Sequence, residues 1–350
     1  MKNIKFILGL FIVVLVFGCE EGGPIKADSD KVFLKGNGVF IINEGNYTWG
    51  NGSLSFYSTD SAKIFNDIFS GINNRPLGDV PNSMTIYEDN SYIVVNNSGK
   101  IEVVDSKTLI SSATIASLNS PRVFKAVNSE KAYVTSLYSD SVAIIDLGTN
   151  SIAGYINLRR SSEAIEILEN KAFISNWSGG KEIMVVNTIT NRVSDSILVA
   201  VEPESMVIDK NGKLWVLCTG GYFNKKFPEL IRINTSSNEI ELRFLFSDRY
   251  AFPSNLQING TKDILFWLDN GVRKMPINGN LFSASVFIQQ KRGYFYKMGI
   301  DPVTDEVFVT DAMDYMQKGK VFRYNSEGAV IDSVIAEIIP SSLCFTQVHN

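Results

Sequence analysis

The chain has 350 residues, a net charge of −4 and 20% charged residues. It has no basic field to hold nucleic acid, and no acidic block of the kind that forms a disordered tail. Aromatic residues at 11% and many short Val/Ile runs predict a packed β protein, because branched and aromatic side chains suit a pleated surface.

At the N-terminus, Lys2 and Lys5 precede an apolar run of twelve residues, Phe6–Phe17, and then Gly18-Cys19. Such a run is too short to span a bilayer and fits the apolar region of a signal peptide. The segment VFGC resembles a bacterial lipobox. Residues 1–18 are therefore read as a lipoprotein signal peptide, Cys19 as the lipidated residue, and 19–37 as lipid attachment plus linker. Phe17 is bulkier than that pattern usually carries, so a plain secretory signal or uncleaved anchor is the alternative. EEGG after Cys19 resembles the acidic stretch of lipoproteins displayed on the surface of Bacteroides-type bacteria. This likeness implies an outer-membrane location, surface exposure, and membrane contact through the lipid anchor. Cys218 and Cys344 both sit inside apolar runs and are expected as buried free thiols, with no disulfide framework.

Beyond the linker the chain repeats itself. Residues 83–109 read as an apolar strand, a polar turn, a second apolar strand, a loop, and an alternating third strand ending at Asp105. The corresponding ends in later units are Asp146, Asn187, Asn234, Pro276 and Asn325, and the opening unit supplies Ser58. Seven units follow one another at intervals of 41 to 49 residues. That period, with four short strands per unit, predicts an all-β, seven-bladed β-propeller of four antiparallel strands per blade. The Asp and Asn in this column are read as turn formers, since their side chains bond nearby backbone amides. The chain starts at a second strand, Val39–Ile42, and ends on a first strand at 341–347. Pairing of these two would complete one blade from both ends and close the ring, which removes free sheet edges. Residues 38–350 are thus expected to form one propeller domain.

Segments such as RPLGDVPNSMTIYEDNSYIVVNNSGKIEVVD and KAYVTSLYSDSVAIIDLGTNSI resemble YncE-like seven-bladed propellers. More narrowly, they resemble surface lipoproteins of Bacteroides-type bacteria, a group that includes the vitamin B12-binding BtuG proteins. The resemblance covers residues 38–347. It implies a non-catalytic protein that captures a corrinoid and hands it to a TonB-dependent outer-membrane transporter.

The loops between second and third strands share one face with the connections between blades. The former hold Tyr47, Trp49, Tyr138, Trp177, Tyr222, Phe223 and Tyr315. The latter hold Arg75, Arg122, Arg159, Arg249, Tyr250, Arg292 and Tyr294. These residues are the candidate ligand-binding set. Tyr and Trp give rigid area with a polar edge, and Arg gives a fork for amides, carboxylates or phosphate. The alternative is that the rings pack over neighbouring blades and the arginines bond loop carbonyls.

The one histidine, His349, lies one residue from the C-terminus, so the usual general base and any His-based zinc site are not expected. No enzymatic activity, cofactor or metal is predicted. Asp79, Glu163, Glu202, Glu204 and Asp314 are the carboxylates of the candidate face, and spacing alone does not pair them. A protein-interaction scaffold and a glycan-binding propeller are the alternatives to corrinoid capture.

Overall fold

Second strands such as 92–95 (YIVV) are apolar on consecutive residues, and the reason lies in their position between two neighbours. In the computed structural model, which describes residues 36–221, 226–279, 285–290 and 293–346, seven four-stranded antiparallel sheets surround one axis. Residues 1–35, with the expected signal peptide, Cys19 and most of the linker, lie outside the described residues. Each sheet is a blade buried on both faces. Because side chains alternate across a strand, Ile93 and Val95 pack toward the first blade, while Tyr92 and Val94 pack toward the third. Seven apolar clusters result, one at each junction between adjacent blades. A fully buried Val, Leu or Phe in such a junction contributes about 1.5–3 kcal/mol.

Blade 1 takes strands from both ends of the chain. Its innermost strand is Pro340–Phe345, followed by Gly38–Asn43, Ser53–Ser58 and Lys63–Phe65. Phe40 pairs with Cys344 and Ile41 with Leu343, so the ring closes by the pairing expected from sequence. Tyr57 strengthens the junction by donating its hydroxyl to Asp332 of blade 7 over 2.5 Å. Blades 2 to 7 begin with innermost strands Pro81–Tyr87, Pro121–Ala126, Ile165–Leu168, Pro203–Ile208, Ser254–Ile258 and Phe295–Ile300. Outermost strands are exposed on alternate residues, as in Ser151–Asn157. A short helix, Ile68–Asn73, fills the passage from blade 1 to blade 2.

At the ends of most third strands the column residues form turns, while Pro276 of blade 6 has no side-chain acceptor. Asp105 accepts from the amides of Lys107 and Thr108, Asn187 from Ile189 and Thr190, and Asn325 from Glu327 and Ala329. Neither Cys218 nor Cys344 is in a disulfide; Cys218 is buried and Cys344 partly so. Burial pushes the Cys344 thiol up to about 12.

Candidate functional site

The innermost strands of most blades open with the same backbone device. Val80, Ser120, Glu202 and Ile339 adopt left-handed φ values of 54°, 48°, 57° and 56°, and each precedes a proline. Proline then fixes its own φ and starts the strand without needing an amide partner. Immediately after it the register slips, at Pro81/Ser83, Pro121/Phe124 and Pro203/Ser205, with equivalent slips at Ser254/Gln257 and Phe295/Met298. A bulge of this kind leaves a residue unpaired and re-aims its side chain. The re-aimed residues recur once per blade: Asn82, Arg122, Glu204, Asn255, Tyr296 and Ser341, with Glu163 just ahead of the strand in blade 4. All seven line a single cavity of about 420 Å³. That size falls within the range of small-molecule pockets, roughly 300–1,000 Å³.

The same cavity is walled by five aromatic rings, Trp177, Phe252, Tyr294, Tyr296 and Tyr315. Tyr296 and Tyr315 meet edge to face with centroids 5.7 Å apart. The indole nitrogen of Trp177 is buried and donates to no partner among the described residues. Beyond Val123 a second chamber of about 420 Å³ is lined by deeper residues of the innermost strands, where the Lys125 ammonium lies 2.9 Å from Glu166.

The charges of the mouth are mostly matched. Arg122 donates from Nε and Nη2 to both oxygens of Glu163 at 2.7–3.0 Å. Lys297 stands 3.4 Å from Glu204, whose other oxygen accepts from the Asn255 amide over 2.8 Å. Among the described residues no cation forms an ion pair with Glu44, and Lys297 and Arg122 act on it only from further away. Glu44 follows the strand Gly38–Asn43, is fixed by its amide donating to the Ile339 carbonyl over 2.9 Å, and accepts from the Tyr296 hydroxyl over 3.2 Å. Burial raises its pKa above the ordinary carboxylate value, more than the hydroxyls of Ser341 and Tyr296 and the charges of Lys297 and Arg122 lower it.

Of the residues named from sequence, Arg122, Trp177, Tyr294 and Tyr315 come together in this cavity. Tyr47, Trp49, Tyr138 and Tyr250 are exposed by 67–75% on the loops and connections named from sequence. Asn46 in the Tyr47 loop donates to the Tyr315 carbonyl, and Asn119 donates to that of Tyr138. The Arg249 guanidinium lies 5.4 Å from the centre of the Tyr250 ring. Arg159 is exposed, its amide donating to Asn157. Tyr222, Phe223 and Arg292 lie outside the described residues. Arg75 departs from expectation. It is not among the cavity residues; it lies over Phe69 of the helix Ile68–Asn73 just ahead of it and donates to both oxygens of the buried Glu102 at 2.7–2.9 Å.

The carboxylates of the face also divide. Glu163 and Glu204 line the cavity, paired with cations rather than with each other. Asp79, Glu202 and Asp314 accept from loop groups, namely the Thr48 amide, the Thr219 hydroxyl and the amides of Met316 and Gln317. Glu44, Lys297, Asn82 and Asn255 were absent from the sequence-derived set. The signal for the last two was present, because the re-aimed residues recur every 40 to 51 positions.

The fold and mouth define a closed seven-bladed propeller with a walled cavity on its aromatic face. The chain belongs to the family described as a domain of unknown function, DUF5074, whose pattern it matches over residues 37–338. Among solved structures it is similar to a quinonprotein alcohol dehydrogenase-like protein from Bacteroides thetaiotaomicron, with a TM-score of 0.68 and 16% identity over 89% of this chain and 79% of that one. A protein from Lactobacillus plantarum also gives a TM-score of 0.68, at 10% identity over 89% of this chain and 100% of the other. Virginiamycin B lyase from Staphylococcus aureus gives 0.60 at 11% identity, over 75% of this chain and 88% of that one. Likeness at these identities establishes the fold alone. No curated protein matches the chain.

Proposed function

We propose that this protein is a non-catalytic capture protein which seats a small ligand in the cavity at the aromatic mouth. The observation that carries this reading is the cavity itself, where five aromatic rings meet one polar side chain from every blade. Rings supply broad contact area, and the polar groups fix orientation. Non-catalytic use is supported by Glu163 and Glu204, each held by a cation.

The ligand class we favour is a corrinoid. Its planar ring matches the aromatic wall and rim, and its fringe of primary amides matches the Asn, Ser and Glu groups of the mouth. The cavity admits an edge of such a molecule, while Trp49, Tyr47 and Tyr138 on the rim offer area to the remainder. With the lipoprotein signal read from the sequence, the protein would sit at the outer-membrane surface and pass its ligand to a TonB-dependent transporter. Thermal stabilisation across corrinoids and oligosaccharides tests this. A ligand bound only by the native state at a hundred times its Kd stabilises by about 2.7 kcal/mol. Cyanocobalamin is expected to raise Tm at micromolar concentration, and no shift with any corrinoid would end the corrinoid reading. Stabilisation by sugars instead would favour a glycan receptor, a use that exposed rings beside carboxylates also permit.

A further inference from the structure

The mouth carries two cations and three carboxylates, and both cations already face a carboxylate. An incoming anion would have to separate Arg122 from Glu163 or Lys297 from Glu204, and would also meet Glu44. A group bearing N–H donors meets no such obstacle. Glu44 lies against Tyr296, within a wall of aromatic rings whose faces attract positive charge. We infer that the cavity selects a nitrogen-borne hydrogen-bond donor, an ammonium or primary amide, which lands on Glu44, and that it rejects carboxylate and phosphate groups. This inference rests on the reading of the mouth as a ligand seat. For a corrinoid it means that the amide fringe enters and the phosphate stays outside.

The selection follows from the cost of removing charge from water. A half-buried carboxylate served by hydroxyls, with its nearest cations already paired to other carboxylates, gains from a further N–H donor. An ammonium cancels the charge, and an amide supplies a neutral donor to it. A carboxylate ligand adds a second uncompensated charge. Freeing Arg122 by Glu163→Gln reverses this balance and opens a site for anions.

Three small probes that share a phenyl ring and differ in their end group decide the matter: 3-phenylpropylamine, 3-phenylpropionamide and 3-phenylpropionate. Binding to the purified protein is followed by ligand-observed NMR at mildly alkaline pH, where the amine is still protonated. The amine and the amide are expected to bind, with the carboxylate weaker by about tenfold or more. Glu44→Gln should weaken the amine by about tenfold and the amide less, because only the amine loses a charge partner. Glu163→Gln should admit the carboxylate. Equal binding of all three probes, preference for the carboxylate, or no binding of any at millimolar concentration would overturn the inference. The wild-type ranking needs no variant to fold. Cyanocobalamin titrated in parallel separates the two claims. If it binds while the probes show no ranking, the selection fails and capture stands. If it is silent while the ranking holds, the corrinoid reading fails and the selection stands.

Discussion

Glu102 is fully buried and Glu44 partly so within the same ring, and their surroundings differ in kind. Glu102, in the third strand of blade 2, has a fully buried side chain and receives Arg75, Lys100, Ser111 and Thr114. Burial opposes its charge, but hydrogen bonds and the charges of Arg75 and Lys100 outweigh burial and hold its pKa below the ordinary value. Glu44 has the hydroxyls of Ser341 and Tyr296 beside it and no cation at hydrogen-bonding distance among the described residues, and burial raises its pKa. A carboxylate with every lone pair served belongs to the architecture. One left short of a charge partner in an open cavity is, in the proposed reading, the group a ligand would meet.

The largest effect should come from breaking the first of these. Arg75→Ala leaves Glu102 buried with Lys100 alone and is expected to cost about 3 kcal/mol, seen as a lowered denaturation midpoint. The pH dependence follows from the sign of the shift. The folded pKa of Glu102 is below its unfolded value, so its stabilisation is complete above the ordinary carboxylate range and is lost as pH falls through the folded value. Arg75→Ala should therefore flatten the acid limb of the stability profile. A variant as stable as wild type, with an unchanged acid limb, would show that Glu102 does not need its cations.

Trp177→Ala comes next. It removes the largest ring of the cavity and should weaken ligand binding about thirtyfold, the loss of roughly 2 kcal/mol typical of an aromatic anchor. Glu44→Gln sharpens the comparison, because stability and binding should move in opposite directions. The folded pKa of Glu44 is above its unfolded value, so its contribution is most favourable below the ordinary carboxylate range and is lost as pH rises through the folded value. Near neutral pH the wild type carries the penalty. Gln removes it and raises Tm, while weakening an ammonium ligand. Under acid conditions the gain in Tm should vanish. The smallest effect is expected at the rim, where Tyr138→Ala should change stability by less than about 0.5 kcal/mol and binding only modestly.

The architecture was legible because burial on both faces leaves a mark. Second strands such as Lys213–Cys218 are apolar on nearly every residue, and turn formers such as Asp105 and Asn187 recur at a period that only a repeated blade explains. Closure was legible because the terminal segments supply complementary missing strands. Of the site, the aromatic component was visible in Trp177, Tyr294 and Tyr315, since rings in polar loops are conspicuous. The polar component was visible only in Arg122 and in the carboxylates Glu163 and Glu204, because the residues that recur once per blade, Asn82, Arg122, Glu163, Glu204, Asn255, Tyr296 and Ser341, share a position and no chemistry. Only their spacing and the prolines ahead of several of them mark the place where bulges aim side chains at the axis. Arg75 occupies the same kind of connection as Arg122, and nothing in the local sequence reveals that its side chain pairs with Glu102 instead of lining the cavity.

The central claim is that the cavity bounded by Trp177, Tyr296 and Glu44 holds the ligand. Calorimetric titration of cyanocobalamin into the wild type and Trp177→Ala, with folding of both checked by circular dichroism, tests it directly. Saturable heat from the wild type and affinity about thirtyfold lower in the variant are the predicted result. Identical heats from both proteins, or none from either, would contradict it.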